Sequence, residues 1–242
     1  MKRMNVAGVI AAAVVICALI LGGAYKYKYK EQHTIVVTGL GETEFVSDLI
    51  VWRGWIVADS KSITEGYAIL EESKNKVEEF ITGKGVEADD IVFMFVNNFK
   101  NTEAVYQDGN YVGQRFTGYT LRQQFTVEST NVEAVENISR EISALLAQGV
   151  QIESSQPDYY YTKLNDLKLE LIEQSTADAK ARATKIANEA GTKLKKLKSA
   201  RMGVFQITGA NTNEEFAAGG SFNTSSKNKK AQVTMRLEYK IK

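Results

Sequence analysis

The chain has 242 residues, 44% apolar and 24% charged, with a single proline and a formal net charge of +1 from 30 basic and 29 acidic side chains. That composition belongs to a globular protein with an ordinary core and excludes general disorder and proline-rich low complexity. The near-zero charge balance gives nucleic-acid binding no support, and a lone cysteine, Cys17, leaves no disulfide or thiolate metal site in the remainder.

The first thirty residues stand apart. Lys2 and Arg3 precede an uncharged run from Val6 to Ala24, which as a helix spans roughly 28 Å, close to the thickness of a bilayer core. The alternation YKYKYK, Tyr25 to Lys30, then sets aromatic rings and snorkelling lysines at headgroup level. Two readings fit: an uncleaved signal anchor, or a secretory signal peptide cut after Ala24, since Gly22 and Ala24 are small enough for a cleavage site. Ile16 stands before Cys17 where a lipoprotein signal takes a small residue, so Cys17 reads as an apolar membrane residue. Residues 1–30 are thus expected to be a membrane anchor or signal segment, and residues 31–242 an exported domain. The expected location is the bacterial inner membrane, single-pass with the domain in the periplasm, or the periplasm itself after cleavage.

Thr34–Leu40 (TIVVTGL) reads as a short strand and Leu49–Val57 (LIVWRGWIV) as a buried one, apolar on both faces except at Arg53 and Gly54. Lys61–Thr82 is helical, with Ile63, Tyr67, Leu70, Val77, Phe80 and Ile81 in one stripe and Gly83 and Gly85 at its end. Ile91–Phe99 and Phe116–Glu128 are strands separated by an arm whose tip is Asp108-Gly109-Asn110. Asn131–Gln148 is the next helix, with Val132, Val135, Ile138, Ile142, Leu145 and Leu146 on one face.

Both helices run through a glycine-valine pair, Gly85-Val86 and Gly149-Val150, into a strand, which points to a duplicated helix-turn-strand unit. The second of these strands, Gln151–Tyr161, contains Pro157, the mark of an edge or a bend. Leu164–Ala190 is a long helix, followed by closing strands at Leu194–Thr208 and Lys230–Lys242. Between these, Asn211–Asn228 has the composition of a mobile hairpin loop. The expected fold is α+β, three helices packed on a mostly antiparallel β-sheet and preceded by one N-terminal transmembrane helix.

The long helix is unusual for its small residues. Ile172, Thr176, Ala179, Ala183, Ile186, Ala187 and Ala190 share a stripe, Asp178 precedes Arg182 and Lys185 precedes Glu189 by one helical turn, and Gly191 supplies the left-handed stop. A membrane-lying helix needs bulky apolar residues on that stripe, and a catalytic one needs converging polar groups, for which Thr176 is the candidate. The remaining reading is a helix pressed closely against a sheet.

Candidate chemistry is sparse. His33 is the sole histidine and lies in the linker, which excludes Ser-His-Asp, Cys-His and histidine-based zinc arrangements within the domain. TGLGE at Thr38 lacks the third glycine of a dinucleotide fingerprint and reads as a bulge or tight strand turn. Acidic neighbours at Glu71-Glu72, Glu78-Glu79 and Asp89-Asp90 read as solvated charges. KLKKLK, Lys193 to Lys198, reads as a solubilising edge strand, with contact to anionic lipid or another polyanion as the alternative. Arg53, between Trp52 and Trp55, requires an ion-pair or cation–π partner. Tyr159, Tyr160 and Tyr161 offer either alternate strand positions, some in the core, or an aromatic assembly surface. No catalytic, cofactor-binding or metal-ligating residue is assigned, and no cofactor is implied.

The run from Tyr159 to Ile207 resembles the signature of SIMPL-domain proteins, a bacterial family of largely unknown biochemical role. The resemblance is carried by LNDLK at Leu164–Lys168, the alanine and basic pattern from Ala177 to Ala190, Gly191, and GVFQI at Gly203–Ile207. V-x-G-x-G at Val37–Gly41, GYT at Gly118 and the closing AQVTMRLEYKI support it. Leu169 stands where a proline is frequent, and Lys195 or Lys196 where a glycine is frequent. The resemblance implies an α+β envelope protein; some relatives form large homo-oligomers with a central opening, and some are linked to oxidative or envelope stress. The expected function is therefore non-enzymatic: a membrane-anchored extracytoplasmic protein that self-assembles as a scaffold or in stress protection. The alternatives are a pore-like homo-oligomeric ring and an enzyme using only carboxylates, hydroxyls or lysines.

Overall fold

The computed structural model describes residues 6–28 and 33–242; Lys2, Arg3, Tyr29, Lys30 and the expected domain boundary after residue 30 lie outside them. The chain order is α1 (Val6–Lys28), β1 (Thr34–Val46), β2 (Leu49–Ser60), α2 (Ile63–Thr82), β3 (Ile91–Gln107), β4 (Asn110–Ser129) and α3 (Val132–Glu141). β5 (Gln151–Ser154), β6 (Asp158–Tyr160), α4 (Leu164–Glu189), β7 (Leu194–Met202), β8 (Gln206–Gly209), β9 (Ser221–Phe222) and β10 (Asn228–Ile241) follow. The architecture is α+β, with four α-helices among the described residues counting α1, and the mostly antiparallel β-structure forms two sheets.

Within α1, Gly8–Lys26 has a mean hydropathy of 2.4 and is long and apolar enough to cross a bilayer. Val9, Ile10, Leu19, Ile20 and Leu21 are exposed, whereas the core helix of a soluble domain would bury such side chains. This fits a membrane anchor or a signal segment.

One sheet has the order β3-β4-β2-β5, antiparallel throughout, with β6 also pairing with β2. The segments β2-α2-β3 and β4-α3-β5 interleave in it, each pair of strands being separated by a strand of the other, which is the split β-α-β arrangement of ferredoxin-like folds. The two glycine-valine pairs occupy equivalent places in the two segments. Gly85 and Gly149 take φ of 89° and 78°, a left-handed conformation that glycine adopts without steric cost, and Val86 and Val150 both enter the core. That core joins Ile50, Trp52 and Ile56 of β2 and Leu121, Phe125 and Val127 of β4 to the buried faces of α2 and α3. Trp52 meets Phe125 edge-on at 5.1 Å.

Three expected elements are broken. The helix over Asn131–Gln148 ends as an α-helix at Glu141 and continues as a tighter 3-10 turn over Ile142–Gln148. Gln151–Tyr161 divides into β5 and β6 around Pro157, on the outer side of β2. Leu194–Thr208 divides into β7 and β8, because Gly203 leaves the strand to hydrogen-bond Thr234 through its N–H (2.8 Å).

The second sheet has the order β1-β10-β8-β9, and β7 also pairs with β10. The chain divides into two compact units, residues 1–39, 176–201 and 235–242 in one and residues 40–175 and 202–234 in the other, with β1, α4 and β10 contributing to both. In the larger unit Leu167 and Leu171 of α4 pack with Ile207, Ala231 and Val233. Here TGLGE is neither bulge nor turn but unbroken strand: a β-carbon on Gly41 would lie 2.3 Å from the carbonyl oxygen of Leu171 and 3.0 Å from the N of Ser175. In the smaller unit Ala179, Ala183 and Ala187 are buried, as are Ile35, Val37, Met235, Leu237 and Tyr239. The alanine-rich helix is thus close-packed, not free in solvent.

Candidate functional site

β2 ends at Ser60, opposite Tyr119 of β4, but β3 and β4 run on as a two-stranded arm through Asn101↔Gly118 to the turn at Asp108-Gly109. The tip falls where the sequence placed it, although β4 begins at Asn110 rather than at Phe116 or Gly118. The base of the arm is fastened by Lys61 Nζ, which donates to the carbonyl of Thr117 (2.5 Å), and by Asn101 Nδ2, which donates to Thr120 Oγ1 (2.7 Å). Arg115 pairs with Glu103 across it.

Phe99, Tyr106, Tyr111, Val112 and Phe116 are exposed along these strands. Phe95 is 73% exposed, lifted outward by the bulge that sets Met94 and Phe95 between the pairs Phe93↔Phe125 and Val96↔Gln123. β3 is the outer strand of its sheet. This is a long apolar edge of the kind that soluble monomers blunt or cover.

A second concentration of polar groups surrounds the segment Asn211–Asn228. The expected mobile loop is in fact tied down. Gln206 Nε2 donates to the carbonyl of Ala217 (2.8 Å) while Gln206 Oε1 accepts from Ser221 Oγ (2.8 Å), and β9 pairs in parallel with β8. Beneath it Lys229, 1% exposed, donates from Nζ to the carbonyls of Asn223 (2.8 Å) and Ser226 (2.5 Å). Burial drives its amine down to about 8 against the opposing pull of the Glu214 and Asp158 charges. Asp158 also holds Arg53, Nη1 to Oδ2 at 2.8 Å, and accepts from Thr224 Oγ1 (3.1 Å), so the partner that Arg53 requires is a carboxylate. Trp55 instead stacks with Arg122 at 4.8 Å.

Near by, Glu136, Arg140, Tyr159 and Lys227 line a polar recess of about 470 Å³. Glu136 accepts from Arg140 (2.5 Å) and Lys227 (3.1 Å). Burial, then the Glu136 charge, pushes the Tyr159 phenol up, so it keeps its proton. The charged groups are spent on one another.

Of the other residues singled out by sequence, His33 is exposed and its carbonyl accepts from Ile241 N–H (3.1 Å). Thr176 is half-buried; the fully buried polar residue of α4 is Ser175, whose hydroxyl donates to the carbonyl of Ile172 (3.1 Å). Tyr159 is buried and Tyr160, the next position of β6, is half-buried, while Tyr161, also half-buried, lies just past the strand. Lys229 was missed, yet its signal was present: Ala231, Val233, Met235, Leu237 and Tyr239 alternate inward, and two residues back along that phase is Lys229.

No curated protein matches this sequence. The SIMPL family, described as a protein of unknown function (DUF541), matches residues 35–239. That span runs from within β1 to within β10 and takes in the arm, the tethered loop and the close-packed α4. The chain belongs to the SIMPL family.

Proposed function

We propose that the protein is a non-enzymatic scaffold of the bacterial envelope, held by α1 as a single-pass anchor with its domain in the periplasm, and that it self-assembles through the β3–β4 arm. The arm carries this reading. A two-stranded ribbon is marginal in water, and this one leaves Phe95, Phe99, Tyr106 and Tyr111 exposed along an unpaired edge. A second copy offers the same aromatic surface, so stacking of arms in a symmetric contact removes both from water. A role in oxidative or envelope stress protection follows from what the family resemblance implies. The non-enzymatic reading draws on Lys229, whose donors are occupied by loop carbonyls, and on Arg53, Asp158 and Glu136, which neutralise neighbouring charges.

The test is sedimentation equilibrium of the full-length chain in mild detergent. Wild type should sediment as a multiple of the protomer, and a variant carrying Phe95→Asp and Phe99→Asp as a monomer with an unchanged circular dichroism spectrum. A wild type that stays monomeric at micromolar concentration removes the assembly claim, and a double variant that assembles normally removes the arm from it.

A further inference from the structure

The chain's net charge of +1 conceals a segregation. Residues 33–39, 176–201 and 235–242 hold 11 basic against 3 acidic side chains, whereas residues 40–175 and 202–234 hold 14 basic against 25 acidic. These stretches of the smaller unit are therefore strongly cationic, at +8, and the larger unit anionic, at −11.

Within the smaller unit the charge has a focus. Lys195, Lys196, Leu197, Lys198 and Lys240 line an open groove of about 710 Å³. Lys198 is paired with Glu238 at 2.9 Å, but among the described residues Lys195, Lys196 and Lys240 have no carboxylate partner. Leu197 is half-exposed between them. The groove lies on β7, which has both faces largely exposed.

The backbone fixes where this groove stands along the chain. Ile241 N–H bonds the carbonyl of His33 (3.1 Å), and Lys242 N–H bonds that of Lys193 (3.2 Å), so the entry to β1, the end of β10 and the start of β7 meet at one end of the unit. That end follows α1 closely. The residues between Lys28 and Thr34 span at most about 20 Å however they run.

We infer that this basic groove is a binding surface for anionic phospholipid headgroups of the bilayer that α1 enters. The lysines supply the attraction, worth about 1 kcal/mol each near an anionic surface, and Leu197 meets the acyl boundary. A single-stranded nucleic acid would want aromatic platforms for its bases, and the groove's lining contains none. The inference rests on α1 acting as an anchor, and the experiment separates the two.

The full-length chain is reconstituted with vesicles of phosphatidylcholine alone or mixed with phosphatidylglycerol, and lysine reactivity is mapped by brief acylation and mass spectrometry. A surface potential of about −30 mV by itself cuts the neutral fraction of a nearby amine about threefold. Lys195, Lys196 and Lys240 should therefore react at least about threefold more slowly when phosphatidylglycerol is present and recover at high salt. Lys100, in the anionic unit, should be unaffected. In a Lys195→Gln, Lys196→Gln variant, both positions being exposed, protection of Lys240 should weaken.

Equal reactivity on the two vesicle types overturns the inference. So does protection by a soluble oligonucleotide in the absence of any by phosphatidylglycerol. A chain that fails to float with phosphatidylcholine vesicles contradicts the anchor alone, because the footprint on phosphatidylglycerol vesicles is still read.

Discussion

Lys229 shows how one buried charge organises a segment whose composition reads as loose. Its amine is almost wholly removed from water and satisfied by carbonyls of Asn223 and Ser226, so the residues that read as loop become a lid hydrogen-bonded to a strand. The cost appears in its titration. The unfolded lysine keeps its proton up to about 10.5, whereas the folded one releases it near 8. Between those values the unfolded chain binds more protons, so raising the pH through this window stabilises the folded chain, by at most about 3 kcal/mol. Urea unfolding of wild type and Lys229→Met at a series of pH values isolates the effect, since the other groups titrate in both. The stability of wild type relative to the variant should rise as the pH climbs from about 8 to 10.5. A difference that does not change with pH removes the buried charge from the account.

Among the elements, α4 tests the packing argument best. Leu167, Leu171, Ser175, Ala179, Ala183 and Ala187 are buried, a strict spacing of four that makes an inclined ridge and not a straight stripe. Ala183→Leu should therefore cost about 1–3 kcal/mol by overpacking, while Ala181→Leu, one face away and exposed, should stay within about 0.5 kcal/mol. Guanidinium unfolding midpoints of the two variants check the pair; equal effects would mean that the buried row is not in close contact.

The alanines, Gly191 and the helix limits were legible because propensity, capping and spacing agree there. Ile186 and Ala190, expected inside, are outside, because a 3.6-residue stripe and a ridge of fours diverge over several turns. The glycine-valine pairs betrayed the interleaved β-α-β segments, since a left-handed φ admits few residues. The arm and its tip at Asp108-Gly109-Asn110 were legible, but the strand character of its two sides was not: Asn101 to Gln107 has no strong alternation, and only pairing with β4 makes it strand. The tethering of the long loop was hidden for a related reason, because Gln206 and Lys229 act from outside it.

For the whole molecule, composition misleads most. A balance of 30 basic and 29 acidic side chains suggests a chain without electrostatic preference, yet the fold gathers most of the acids into one compact unit and leaves the other cationic. Apolar character is likewise concentrated, in α1 and along the β3–β4 arm, both exposed in the single chain. In the proposed scaffold a bilayer would cover the first and a second copy of the chain the second. Electron microscopy of the full-length protein extracted in mild detergent tests this most directly. The account predicts particles of several copies in which the arms from Asn101 to Gly118 meet at the contacts between chains. Particles of one copy, or assemblies whose arms all project free into solvent, would contradict it.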